Sequence, residues 1–148
     1  MERIMPAYDP NNILAKILRG DIPSLKVYED SDTLAIMDIM PQADGHVLVI
    51  PRAPSRNLLD ADPATFKPLY ETVQIIARAV QQAFGADGVL VQQFNEAAAG
   101  QSIYHLHVHV LPRKTGEALR PHTGQMADQA LLARQAEMIR QALNSPQT

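Results

Sequence analysis

Between Tyr104 and Leu111, three of the chain's five histidines alternate with branched aliphatic residues: His105, His107 and His109 against Leu106, Val108 and Val110. A period of two belongs to a strand whose faces differ, so the spacing predicts a strand with the imidazoles on one face and a core-facing aliphatic row on the other. Such a strand requires a sheet and a covering layer for its aliphatic side, and leaves its polar side over a site. At a rise of roughly 3.3 Å per residue, neighbouring imidazoles stand about 7 Å apart and the outer two about 13 Å. Proline cannot donate to a ladder, so the strand is expected to stop at Pro112-Arg113.

Three readings of these histidines compete. A half-exposed edge strand with polar alternation asks no chemistry of them. A zinc site needs each nitrogen at about 2.1 Å from one ion, which a span of about 13 Å permits for two imidazoles and for three only with strain. Acid, base and nucleophile chemistry on an anionic group is the reading that the pattern favours.

The composition restricts the chemistry further. A chain of 148 residues, 46% hydrophobic and 20% charged, suits a single domain. At this size about 70% of the unfolded chain's surface is buried, enough for a core without staples. The absence of cysteine removes disulfides, thiolate zinc sites and catalytic thiols together. A formal charge of −3 and a pI near 5.9 give no overall attraction to nucleic acid or an anionic membrane, so any phosphate must be held locally. The N-terminus lacks a signal peptide's apolar run and nothing reaches the length of a membrane span, so a cytoplasmic protein is expected.

Residues 1 to 11, with Pro6 and Asp9-Pro10, read as a loose leader. Asn12 is a good helix cap; Ile13, Leu14, Ile17 and Leu18 follow at helical spacing until Gly20. A hairpin is predicted from Lys26 to Glu29 and Thr33 to Asp38, with Leu34, Ile36 and Asp38 on one face. Asp38 is there either as a turn cap or as a ligand-facing acceptor. A turn-rich stretch then delivers His46 to the mouth of Val47-Leu48-Val49-Ile50, an apolar run expected to be a central strand. By itself His46 reads as a structural histidine.

Asp62-Pro63 starts a long helix whose stripe, Phe66, Leu69, Val73, Ile76, Val80 and Phe84, runs to Gly85; Pro68 predicts a kink or a later start. A strand over Val89 to Asn95, a small-residue loop, the histidine strand and a last helix near Met126 to Leu143 complete the chain. Short connections favour an antiparallel sheet of about five strands packed with one long and two shorter helices, an α+β domain with residues 114–148 as a C-terminal extension.

Gly100-Gln101-Ser102 precedes the imidazoles, and its glycine and hydroxyl suit a phosphate cradle. From Gly100 through Leu111 the chain resembles the signature of the histidine triad family of nucleotide-binding hydrolases and transferases, and Asp38 to Arg52 resembles that family's upstream motif. The resemblance implies an α+β fold, a homodimer and a purine nucleotide substrate attacked at its α-phosphorus, with no metal or other cofactor required. It implies His107 as nucleophile, with His105, His109 and His46 as partners. It further implies Asp38 at the ribose hydroxyls, Asn95, Gly100, Gln101 and Ser102 around the phosphate, and Leu14, Ile17, Ile36 and Ile39 around the base. A neutral imidazole can attack phosphorus only while its other nitrogen's proton is held, which suggests a carbonyl acceptor for His107.

Many bacterial members carry a Cys-x-x-Cys pair and a further histidine where this chain has Asn12, Ala15 and Pro54, so a structural zinc is not expected. His109, where the branch that transfers nucleotidyl groups between sugars has glutamine, favours hydrolysis. Gly100-Gln101-Ser102 resembles the phosphoramidase branch. The expected activity is hydrolysis of purine nucleoside 5′-phosphoramidates or related AMP conjugates. The alternatives are a dinucleoside polyphosphate hydrolase, a non-catalytic nucleotide-sensing scaffold and a metal-binding β protein.

Overall fold

A computed structural model describes residues 5–121 and 126–145. The first four residues of the leader, Gly124 in the irregular stretch and the last three residues lie outside the described residues. In chain order the elements are α1 (Ile13–Leu18), β1 (Lys26–Glu29), β2 (Thr33–Met37), β3 (Val47–Pro51), α2 (Phe66–Phe84), β4 (Gly88–Gln92), β5 (Val108–Arg113) and α3 (Gln129–Asn144). The five strands form one antiparallel sheet in the order β1-β2-β3-β5-β4.

Alternation along the inner strands divides their side chains between two cores. Ala35, Met37, Val47, Val49, Val108 and Val110 face the larger cluster, with Leu69, Val73 and Ile76 of α2 and Leu132, Ala136 and Ile139 of α3. Leu34, Ile36, Leu48 and Ile50 point the other way and pack with Leu14 of α1. Because α1 has only six residues, it covers part of that second face and leaves the remainder beside His109, which sits opposite Leu48.

The caps explain the helix bounds. Asn12 accepts from the Ala15 N–H at 2.9 Å to start α1. Asp62 caps a single 3₁₀ turn, Pro63–Thr65, and the α-helical part of α2 begins only at Phe66. Pro68 therefore falls in the first turn, where its missing N–H leaves no ladder bond unmade. Gly85 closes α2 in the left-handed conformation, φ 58°.

Two strand bounds differ from the sequence reading. β5 begins at Val108, so His105 and His107 precede it. The backbone groups that would extend the ladder are engaged elsewhere: Leu106 N–H donates to the Ser55 carbonyl at 3.0 Å, and the His105 carbonyl accepts from the His107 ring. At its other end β5 continues through Pro112 to Arg113 instead of stopping. Pro112 lies past Val110, the last residue of β5 paired with β3, so no donor is required of it on that side. β4 ends at Gln92, three residues earlier than expected, because the chain turns there into the loop that carries Asn95 to Gln101.

Candidate active site

His109 leaves β5 on the side of Leu48, and His107 reaches the same side from the approach to the strand. Their ring centroids are 4.9 Å apart, closer than the backbone spacing because the rings tilt together. Both line a cavity of about 260 Å³ whose other walls are mainly apolar: Ile13, Leu14 and Ile17 of α1, Ile36, Ile39, Met40, Leu48 and Ile103. Asp38 and Ser102 bring polar atoms to it. The cavity is slightly smaller than the ~300–1,000 Å³ usual for small-molecule sites.

Hydrogen-bond partners assign the protons. His107 Nδ1 is 2.6 Å from the His105 carbonyl, which can only accept, so Nδ1 carries the hydrogen and the neutral ring has its lone pair at Nε2. Gln42 N–H donates to His46 Nδ1 at 3.1 Å, which puts the His46 proton on Nε2. That nitrogen lies 2.9 Å from His109 Nδ1, so His46 donates and His109 carries its own proton on Nε2. The Asp38 carboxylate stands 3.4 Å from His46 Nε2 while its other oxygen accepts from the Met40 N–H at 2.8 Å. Asp38 is thus both a turn cap and a cavity wall, the two roles between which the sequence left a choice.

Asp38, His46 and His109 bring ligand-type atoms within 4.8 Å of one another, the composition of a metal centre. The Gln42 N–H disfavours that use. An ion on His46 Nε2 would require that nitrogen to lose its proton while Nδ1 still accepts from the backbone, leaving an imidazolate. The same bonds make an ordered chain of neutral imidazoles at no such cost.

His105 lies elsewhere. Its ring is enclosed between the Tyr8 hydroxyl, 2.7 Å from Nδ1, and the Pro51 carbonyl, 2.8 Å from Nε2. It is not part of the cavity wall, so of the three imidazoles expected to share one site only His107 and His109 face the cavity. Burial is the main influence on its proton affinity and pushes it down; the bond to Pro51 opposes this, and repulsion between the protonated forms of His105 and His107 adds to it.

The loop before the histidines is held by a buried amide. Gln101 Oε1 accepts from Asn57 Nδ2 at 3.1 Å and from the Glu96 N–H at 2.8 Å, and its Nε2 donates to the carbonyls of Arg56 and Ile103. Asn95 Oδ1 accepts from the Leu58 N–H and from Gln93. Neither amide lines the cavity, nor does Gly100, so of the four residues expected around phosphate only Ser102 does. Gly100 has φ 102° with the Phe94 ring 3.4 Å from where a Cβ would sit.

Glu96 has φ 74°, the one positive value at a non-glycine among the described residues. Its carboxylate compensates by binding Arg56 at 2.7 and 2.9 Å and Asn57 at 2.7 Å. The Arg56 guanidinium holds that carboxyl below the usual range and lies 4.0 Å over the Tyr104 ring. Phe94 meets His109 edge-on at 5.4 Å. Tyr8, Phe94, Arg56, Asn57 and Glu96 went unread as site residues. Their placement depends on contacts between residues 15 to 97 positions apart.

Residues 19–116 match the HIT domain model. The chain belongs to the histidine triad family. A Hit-like protein from Bartonella henselae, described as involved in cell-cycle regulation and solved with an unknown ligand, is 54% identical, covers 92% of this chain and 99% of its own, and superposes with a TM-score of 0.87. A zinc-bound family member from Mycobacterium smegmatis is 33% identical over 90% of this chain and 94% of its own, TM-score 0.80. The adenylylsulfatase HINT3 of Arabidopsis thaliana is 38% identical over 117 residues; the match covers 75% of this chain and 59% of that protein's length. Where many bacterial members were expected to have their first cysteine, Asn12 caps α1 and its side chain also donates to the Asp9 carbonyl at 2.7 Å. Among the described residues no helix is long and apolar enough to cross a membrane.

Proposed function

We propose that the protein hydrolyses purine nucleoside 5′-phosphoramidates or related AMP conjugates through a nucleotidyl intermediate on His107. The observation that carries this reading is the 2.6 Å bond from His107 Nδ1–H to the His105 carbonyl, which directs nucleophilic character to Nε2 at the wall of an apolar cavity. The base packs among Leu14, Ile17, Ile36 and Ile39, the ribose hydroxyls donate to Asp38, and the phosphoryl oxygens meet Ser102. As the bond from Nε2 to phosphorus forms, the bond to the departing group breaks, and the His105 carbonyl steadies the positive charge that the ring acquires. His109, protonated on Nε2, is the donor to that group. Water then attacks phosphorus as the bond to His107 breaks, and its proton returns to His109 Nε2, which gave one to the departing amine; the nucleotide leaves and both rings are neutral again. The scheme requires no metal.

Adenylyl sulfate is a second candidate among AMP conjugates, favoured by the likeness to a plant adenylylsulfatase. The protein is proposed to act as a homodimer: Val91 on the outer strand β4 and Tyr70 and Ile75 on α2 are exposed. Light scattering at micromolar concentration tests this, with the mass of one chain as the contradicting result. Release of amine and AMP from a fluorogenic AMP amide tests the activity; nucleotide binding without turnover would leave a scaffold instead.

A further inference from the structure

We propose that Tyr8 is a positioning residue of this site: its hydroxyl locks the His105 ring, and the locked His105 holds out the carbonyl that orients His107. The hydroxyl lies 2.7 Å from His105 Nδ1, and the two rings meet edge to face with centroids 5.6 Å apart. The direction of this bond follows from its surroundings. The Pro51 carbonyl can only accept, so His105 Nε2, 2.8 Å away, carries a proton. Burial keeps the ring neutral, so Nδ1 has the lone pair and the tyrosine donates. His105 is therefore fastened at both ring nitrogens, and its carbonyl takes the His107 proton at 2.6 Å.

Tyr8 is itself fastened. Asn11 N–H donates to Asp9 Oδ1 at 2.8 Å, Asn12 Nδ2 to the Asp9 carbonyl at 2.7 Å, and Arg19 to the Pro10 carbonyl at 2.6 Å. Residues 8 to 12 thus form a strap sewn to α1, the helix that supplies Leu14 and Ile17 to the cavity, and not the loose leader that Asp9-Pro10 suggests. One short segment links the apolar wall to the orientation of the proposed nucleophile.

The inference rests on His107 being the nucleophile, and its test reads the imidazoles separately from turnover. The full chain, Tyr8→Phe and Tyr8→Ala are prepared with ¹⁵N-labelled histidine. Nitrogen shifts report each tautomer, and steady-state hydrolysis of the AMP amide gives kcat and KM. In Tyr8→Phe, His105 Nδ1 should move toward the shift of an acceptor without a donor, and the His107 Nδ1 proton should exchange faster. There kcat should fall about tenfold with KM changed by less than about twofold, the pattern of lost transition-state alignment. Unchanged nitrogen signals and kcat in folded Tyr8→Phe would overturn the proposal. So would a loss in Tyr8→Ala with none in Tyr8→Phe, which would reduce the residue to packing. If the wild-type chain does not turn over the amide, the proposed function fails, and the nitrogen spectra alone decide whether Tyr8 sets the two rings.

Discussion

His105 and His109 stand two positions to either side of His107 and have opposite surroundings. His105 is closed in by a tyrosine hydroxyl and a carbonyl, away from the cavity, and its link to His107 is a main-chain oxygen. His109 lines the cavity, with His46 and Asp38 behind it. Sequence spacing gave them the same weight. The comparison shows that a period of two chooses a side of the sheet, while the partner at each ring nitrogen goes with whether an imidazole is enclosed or faces the cavity.

Substitutions should separate these roles. The largest effect is expected for His107→Ala, a fall in kcat on the order of 10⁴-fold or more with nucleotide binding retained, measured by steady-state kinetics and calorimetry. Next, His109→Gln should slow hydrolysis of an AMP amide by about 10²- to 10⁴-fold, since an amine must leave protonated. The same variant should lose much less with adenylyl sulfate, whose leaving sulfate needs no proton; equal losses would remove His109 as the donor. Asp38→Asn keeps an acceptor for the Met40 N–H but loses the charge. About a tenfold rise in KM, near 1.4 kcal/mol, is expected if ribose hydroxyls bind there.

The smallest effect concerns His105 and pH. Burial places its folded-state proton affinity below that of the unfolded chain. Below the ordinary histidine range the unfolded state takes up a proton that the folded ring refuses, so stability falls as pH is lowered and is unaffected by this group well above that range. The wild-type Tm should therefore drop between about pH 7.5 and pH 5.5. His105→Asn should flatten that drop by a few degrees, given roughly 2–4 °C per kcal/mol at this chain length. It should reduce kcat by only about tenfold, because the orienting carbonyl belongs to the main chain. A drop as steep in the variant as in the wild type would assign the pH response to other groups.

Much of the fold was legible because it depends on local signals. The apolar run at Val47 to Ile50, the cap at Asn12 and the stripe from Phe66 to Phe84 each produced the element expected of them, while Asp62 caps a 3₁₀ turn that leads into the long helix. Alternation placed His109 on the cavity side of the sheet, and the family resemblance named Asp38, Ser102, Leu14, Ile17, Ile36 and Ile39, which line the same cavity as His107 and His109. It was not legible where a polar group's job depends on distant partners. Gln101 looks like a phosphate ligand in a Gly-Gln-Ser loop, yet its amide joins Asn57, Arg56 and the Glu96 backbone. Tyr8 belongs to a proline-flanked leader, and its hydroxyl bonds a ring 97 positions away.

The central claim is that the nitrogen facing the cavity from His107 forms a bond to phosphorus. Rapid quenching of the enzyme with an AMP conjugate, followed by mass spectrometry of the peptide spanning residues 104–111, tests it directly. The account predicts one nucleotidyl group on that peptide, located on His107 and decaying at the rate of product release. Turnover with no such adduct, or an adduct on His105 or His109, would contradict it.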